Sequence, residues 1–199
     1  VINFTFIWLA QLFLIGFPLF IILSIGCIGL FGLVLAYYNF AHVKYRLDMF
    51  LFSDGNLSYQ VQKSIDAIKN GGLWGQGYYQ GIVKENLPDS HTDFVFAVIV
   101  EEFGFIIALL LLAGYAIIII RTLTIAYKHN NLFISLLLSG LALQIAFQVL
   151  VNIGVNINLL PTKGTILPLI SYGGSSFIAT SAMMGMILLY SRTSYGRML

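Results

Sequence analysis

The sequence predicts an all-α, polytopic membrane protein: a transmembrane helical bundle of about five spans with one large extracytoplasmic loop. Three observations carry this. Hydrophobic residues make up 59% of the 199 residues and charged residues only 9%, against roughly 25% charged in a soluble domain. The apolar residues gather into runs long enough to cross a ~30 Å hydrocarbon core. The charges are also sorted along the chain. All eight acids lie between Asp48 and Glu102, and from Phe103 to Leu199 every formal charge is positive.

Residues 2–38 read as two transmembrane helices. Residues 2–15 are apolar and end at Gly16-Phe17-Pro18, a turn signal. Leu19 to Tyr38 follows as a second run, in which Gly26, Gly29 and Gly32 predict a smooth stripe for close helix contact. Tyr37 and Tyr38 stand where an interfacial aromatic belt is expected. The chain opens on Val1 already inside an apolar run, with no basic-start signal peptide. It is therefore expected to be a piece of a longer protein with further helices ahead of it. Cys27 is the single cysteine and reads as a small apolar filler, so neither a disulfide framework within the chain nor a Cys/His zinc site is expected. A net charge of +2 is too small to suggest nucleic acid.

Residues 39–92 form the large loop. Within it, Val61, Ile65 and Ile68 have helical spacing, which predicts an amphipathic helix over Tyr59–Lys69 lying on the membrane surface or on the protein. The run Gly72-Leu-Trp-Gly-Gln-Gly77 either lets backbone approach a ligand closely or makes a tight surface turn with Trp74 at the interface; the second is the simpler account. Residues 93–190 hold three further spans: Asp93–Ile120, then Leu132–Asn152 after a basic connector at 121–131, then Leu169–Tyr190 after a loop at 156–168. Residues 191–199 are a basic tail. Arg121 and Lys128 fall on the same side as Arg192 and Arg197, so the positive-inside rule makes that side cytoplasmic. The loop 39–92, Asp93 and Lys163 are then outside, away from ATP.

The chemistry-bearing residues cluster where the loop meets the first of these three spans. Asp89, His91, Thr92 and Asp93 precede the apolar segment, and Glu101 and Glu102 interrupt it. Acids at mid-helix cost roughly 2.5–3.5 kcal/mol each on insertion scales, so they usually have a task. Asp93 is either a helix-start acid favoured by the macrodipole or a chemical centre. Asp93, Ala97 and Glu101 follow one helix face, with Glu102 on the opposite side. One glutamate is then expected to support the site and the other to pack against a neighbouring helix. Thr92 is a plausible N-cap, and His91 is expected to shape the site. Gln144, Gln148 and Asn152 form a polar stripe facing the bundle interior, for helix–helix hydrogen bonding or substrate contact. Gln60 opens the amphipathic helix, placed to meet a sugar or a loop carbonyl. Ser171, Ser175 and Ser176 lack a His/Asp partner pattern and are read as backbone and packing residues rather than nucleophiles.

Several stretches read together: Tyr59-Gln60, Gly71-Gly-Leu-Trp-Gly-Gln-Gly77, Leu87-Pro-Asp-Ser-His-Thr-Asp-Phe94, Glu101-Glu102, and Leu160-Pro-Thr-Lys-Gly-Thr-Ile-Leu-Pro-Leu-Ile-Ser-Tyr-Gly-Gly-Ser-Ser176. This combination resembles the shape, elongation, division and sporulation family of bacterial membrane proteins. The form Lys163-Gly164…Pro168-Leu-Ile-Ser-Tyr-Gly-Gly is closer to its cell-division branch than to its elongation branch. The resemblance covers nearly the whole chain and corresponds to the C-terminal half of the family's ten-helix fold.

The resemblance implies a glycosyltransferase that polymerises lipid II into glycan strands in the bacterial cytoplasmic membrane at the division septum. It places the family's essential acid on Asp93, as general base, with a polyprenyl diphosphate as leaving group. Lys163 is then the first candidate to meet the diphosphate, followed by Lys44 and Arg46. Glu101, Glu102, Gln144 and Gln148 would support the site, and His91, Thr92 and Gln60 would contact substrate. No cofactor is required, and a divalent cation is compatible. The implied partners are a class B penicillin-binding transpeptidase and other division proteins. The competing readings are a lipid II flippase, which would depend on Glu101, Gln144 and Gln148, and a scaffold, for which Asp93→Asn would be silent.

Overall fold

A computed structural model of the chain describes residues 2–41, 43–44, 48, 59–161 and 164–195. All regular structure among them is helical. The chain divides into two compact units, residues 1–58 and 59–199.

The first unit is a helical pair, α1 (Ile2–Ile15) and α2 (Leu19–Asn39). Gly16 ends α1 in a left-handed conformation with φ 87°. Its N–H donates to the Phe13 carbonyl and the Phe17 N–H reaches back to Leu12, both at 3.1 Å. This is the Schellman arrangement, which satisfies carbonyls the helix end leaves free. Pro18 then opens α2 in an extended conformation. The 21 residues of α2 suffice for a crossing, whereas α1 has 14 within this chain. Four helices among the described residues are long and apolar enough to span, and α1 is a shorter apolar helix. The Gly26/Gly29/Gly32 stripe does not seat a helix here, since a Cβ at any of the three would meet nothing within 4 Å.

The second unit comprises α3 (Tyr59–Gly71), a single 3₁₀ turn (Val83–Asn86), α4 (Val95–Lys128), α5 (Leu132–Asn156) and α6 (Gly174–Tyr195). α4 and α5 form an antiparallel pair whose connector is only 129–131. Residues 121–128 extend α4 instead of forming a loop, because Thr122 and Ala126 are buried on its inner face. Asn131 caps α5 by accepting from the Phe133 N–H at 3.0 Å. Tyr115, Leu138, Ile145, Val149, Leu167 and Ile187 fill the core of this unit.

α3 is amphipathic as expected, but it docks on protein through a different face. Val61, Ser64, Ala67 and Gly71 are its buried residues, while Ile65 and Ile68 are only half-buried. Small residues face inward because α3 lies close against α4: a Cβ on Gly71 would stand 2.0 Å from the Val100 carbonyl oxygen.

α4 is not continuous. Gly104 (φ 87°, ψ 166°) breaks it, and the glycine-rich loop fills the break. In an unbroken helix the carbonyls of Glu101 and Glu102 would accept from the N–H groups of residues 105 and 106. Here they accept from Gln76 and Gly77 at 2.9 and 3.0 Å, while Phe105 and Ile106 donate to Gly72 and Leu73 at 3.0 and 3.4 Å. The loop thus takes up the backbone groups the break releases. Only glycine permits this approach: a Cβ on Gly75 would sit 2.3 Å from the Glu102 carbonyl oxygen, and one on Gly104 would sit 2.4 Å from that of Leu73. The run 72–77 is therefore a tight turn, as the simpler account expected, with its backbone set into the break of α4 and Trp74 exposed. Beyond the break, residues 105–128 are about 36 Å long as helix, enough to cross on their own.

Candidate active site

Asp93 sits in a tight turn before α4, not on the helix. Asp89 takes a left-handed conformation at φ 56°, and its carbonyl accepts from the N–H groups of Thr92, Asp93 and Phe94 at 3.1, 3.1 and 3.2 Å. Leu87 and Phe94, both buried, pin the two ends of the turn. The cap residue of α4 is Phe94, with no side-chain cap bond. Thr92 is therefore not the N-cap; its hydroxyl donates to the Asp89 carbonyl at 3.3 Å. Asp93 also leaves the helical face it was expected to share with Ala97 and Glu101, because the helix begins two residues after it.

Two distant segments grip the main chain of this turn. The His91 carbonyl accepts from the Tyr172 N–H at 2.9 Å. The Thr92 carbonyl accepts from the Ser171 hydroxyl at 2.6 Å. The Asp93 carbonyl accepts from Nδ2 of Asn152 at 2.8 Å and of Asn156 at 3.2 Å. Three successive carbonyls are thus fixed from outside the turn. Asn152 also donates to the Thr165 carbonyl at 2.6 Å. Oδ1 of Asn156 accepts from the Ala97 N–H and the Ser64 hydroxyl, each at 3.2 Å. Both asparagines have no exposed surface. Burial without water strengthens such bonds and makes each unmet group costly. α3, α4, α5 and the segment 164–173 all converge on this one turn. The last of these is seated by buried Leu167 and Pro168, with the Tyr115 hydroxyl donating to the Pro168 carbonyl.

The Asp93 carboxylate is treated differently from its backbone. It is half-buried beside Gly164, where an added Cβ would fall 2.9 Å from Oδ2. Among the described residues it has no hydrogen-bond or ion-pair partner. Burial pushes its pKa above the ordinary 3.8, and the like charge of Asp89 adds to the rise. A carboxylate that is held in place, partly desolvated and without a donor is a competent proton acceptor.

Glu101 and Glu102 have the opposite arrangement. The Glu101 carboxylate, wholly buried, accepts from Asn70 Nδ2 and the Val83 N–H at 2.9 Å and from the Lys84 N–H at 3.0 Å. Glu102 pairs with the Lys84 ammonium, and that pairing raises the lysine's pKa. Both acids bind the same connector to α4, so Glu102 does not pack against a neighbouring transmembrane helix. Their fixed contacts are with residues 70 and 83–84 rather than with the Asp93 turn.

The other predicted residues divide as follows. The His91 side chain is exposed on the turn. Gln60 is half-buried in the first turn of α3, one turn before Ser64 on the same face. Gln144 and Gln148 are half-buried on α5, and it is Asn152 and Asn156, further along the same stripe, that reach the turn. Lys44 belongs to the first unit, exposed, with its ammonium 5.9 Å from the centre of the Tyr37 ring. Lys163 and Arg46 lie outside the described residues. Sequence reasoning missed the grip of Asn156 and of Ser171. The available signal was the four-residue spacing 144, 148, 152, 156, which continues past the expected helix end. No group of three His, Cys, Asp or Glu that would cage a metal occurs among the described residues.

The profile of the FtsW/RodA/SpoVE cell cycle protein family matches residues 1–196. A protein of Caulobacter vibrioides named probable peptidoglycan glycosyltransferase FtsW is 39% identical over 187 residues, 94% of this chain and 48% of that protein. One of the same name from Aliivibrio salmonicida is 40% identical over 188 residues, 90% of this chain and 47% of its own length. The chain thus spans about half the length of these curated relatives. A solved structure described as the structural coordination of polymerization and crosslinking by a peptidoglycan synthase complex superposes with TM-score 0.72 at 32% identity, covering 93% of this chain and 52% of that one. A mutant of the rod shape determining protein RodA of Thermus thermophilus gives TM-score 0.51 at 36% identity, over 77% of this chain and 49% of that one. With its residues matched almost from end to end, and with the fold shared, this chain belongs to the FtsW/RodA/SpoVE family of cell cycle proteins.

Proposed function

We propose that this chain is the catalytic half of a division-type peptidoglycan glycosyltransferase that polymerises lipid II, with Asp93 as general base. The observation that carries the proposal is the division of labour within one residue. The backbone of the Asp93 turn is fixed at three carbonyls, and its carboxylate is partly desolvated and without a partner among the described residues. The names of the relatives support the reaction class.

In the proposed reaction Asp93 takes the proton of an acceptor sugar hydroxyl as that oxygen bonds to the anomeric carbon of the donor. The bond to the polyprenyl diphosphate breaks and the diphosphate leaves with the electron pair. Attack from the opposite side inverts the anomeric centre. A diphosphate leaves without protonation, so one carboxylate suffices, unlike the pair a glycosidase needs. Lys163 is the proposed diphosphate contact, since its neighbour Gly164 lies against the Asp93 carboxylate; Lys44 and Arg46 are the further candidates. A divalent cation is compatible, because Mg²⁺ is commonly held by one or two carboxylates together with phosphate oxygens.

A class B penicillin-binding transpeptidase is the proposed partner, supported by the likeness to a peptidoglycan synthase complex. The proposed location is the cytoplasmic membrane at the septum, with Asp93 outside. The flippase reading is less well supported, because it relies on free intramembrane acids and Glu101 is saturated with donors. The test is lipid II polymerisation by the full-length protein with its transpeptidase partner in liposomes, wild type against Asp93→Asn. Loss of glycan product with insertion and partner binding intact is the expected result. Product at a near wild-type rate would overturn the assignment of Asp93 and direct attention to lipid II flipping.

A further inference from the structure

The glycine-rich loop plays no part in the proposed chemistry, yet its surface is unusual. Leu73, Trp74, Tyr78, Tyr79 and Ile82 are exposed, Trp74 at 82%, and Phe103 beside the helix break is exposed as well. No charged residue occurs between Lys69 and Lys84. Much of its backbone is nevertheless met within the protein. Its N–H groups at Gly75, Gln76, Gly77 and Gln80 donate within the protein, and its carbonyls at Gly72 and Leu73 accept from α4. The Gln76 side chain turns back to donate to the Asn70 carbonyl. Lipid-exposed irregular backbone does not occur within the hydrocarbon core, so such a loop reaches no deeper than the boundary, where internal bonds lower the cost of leaving water.

The surface is also continuous with the apolar face of a membrane-length helix. Immediately after the break, Phe105, Ile106, Ile107, Leu109 and Leu110 are exposed on the segment of α4 long enough to cross. Tryptophan and tyrosine, with an apolar body and a polar tip, favour the boundary between headgroups and acyl chains.

We propose that residues 72–82 are a membrane-interface anchor, inserted at the headgroup–acyl boundary of the bilayer at the level of the Gly104 break. The four backbone hydrogen bonds between loop and α4 tie the anchor rigidly to the helix. The anchor therefore fixes the depth of α4.

The experiment uses the full-length protein in nanodiscs of phosphatidylethanolamine and phosphatidylglycerol, on a cysteine-free background that includes Cys27→Ser. Nitroxide labels are placed through Trp74→Cys and, as a second reporter, Ile82→Cys. Leu109→Cys serves as the lipid reference and the exposed Asn86→Cys as the water reference. Power saturation with oxygen against a water-soluble nickel chelate reads the environment of each label. Labels at 74 and 82 should favour oxygen and fall nearer the Leu109 reference. Labels favouring nickel as the Asn86 reference does would overturn the proposal, and labels shielded from both reagents would overturn it in favour of a protein cover. None of these readouts depends on catalysis, so the anchor and the glycosyltransferase assignment stand or fall separately.

Discussion

Asp93 and Glu101 are two acids eight residues apart, each with its main-chain carbonyl bonded, that differ at the carboxylate. At Asp93 the main chain is gripped and the carboxylate has no partner among the described residues. At Glu101 the carboxylate takes three donors, and its carbonyl is handed to the inserted loop. An acid whose side chain is saturated holds structure together, whereas one whose side chain is left unpaired at some desolvation cost is available for chemistry. Residue type and membrane proximity alone would not have separated them.

The largest expected effect is a direct contrast between these two residues. Asp93→Asn should lower the polymerisation rate by at least ~100-fold, the scale of a lost general base, with thermal stability at neutral pH undiminished. The sign follows from linkage. With its folded pKa raised, Asp93 contributes favourably only at low pH, and that contribution is lost as pH rises through the raised value. Removing the charge therefore costs nothing at pH 7. Glu101→Gln that abolished turnover equally, with no loss of stability, would break the comparison.

Asn152→Ala sharpens it next. It releases the Asp93 and Thr165 carbonyls without touching the carboxylate. A displacement of about 1 Å can cost ~100-fold in rate, so kcat should fall about 10- to 100-fold with KM for lipid II little changed. A fall in stability with an unchanged specific rate in the folded fraction would reduce the clamp to packing. Glu101→Ala should behave oppositely, losing about 3 kcal/mol of stability as buried donors lose their acceptor, measured by thermal or denaturant unfolding in detergent. The smallest effect is on pH. Activity requires the Asp93 carboxylate, so the rate should rise with pH through a limb above 3.8. Asp89→Asn removes the lesser of the two causes of that elevation and should move the limb modestly downward, leaving the plateau rate nearly unchanged.

Much of the fold was legible because it follows from local composition. Apolar runs gave the spans, Gly16-Phe17-Pro18 gave the α1–α2 turn, and helical spacing gave α3. The errors lay where neighbours in space decide. Residues 121–128 stay helical because Thr122 and Ala126 find a core to enter. Ser64, Ala67 and Gly71 join Val61 on the inner face and leave Ile65 and Ile68 half-buried, because α4 comes close at the Gly71 end. Asp93 itself was singled out from the motif that surrounds it, while the clamp on its turn was not foreseen. Asn156 and Asp93 are 63 positions apart, and no local pattern states which carbonyl an asparagine will meet.

By itself the sequence determined that this chain lives in a membrane, where its helices run, and which short polar stretches interrupt them, because hydrophobic transfer acts on each segment independently. Only the tertiary structure decided what those stretches do. It broke α4 at Gly104 and gave the freed backbone groups to the glycine loop, saturated Glu101, and held the carbonyls of His91, Thr92 and Asp93 while the Asp93 carboxylate meets no partner among the described residues. A buried hydrogen bond depends on both partners arriving together, and that meeting is a property of the folded chain rather than of either residue.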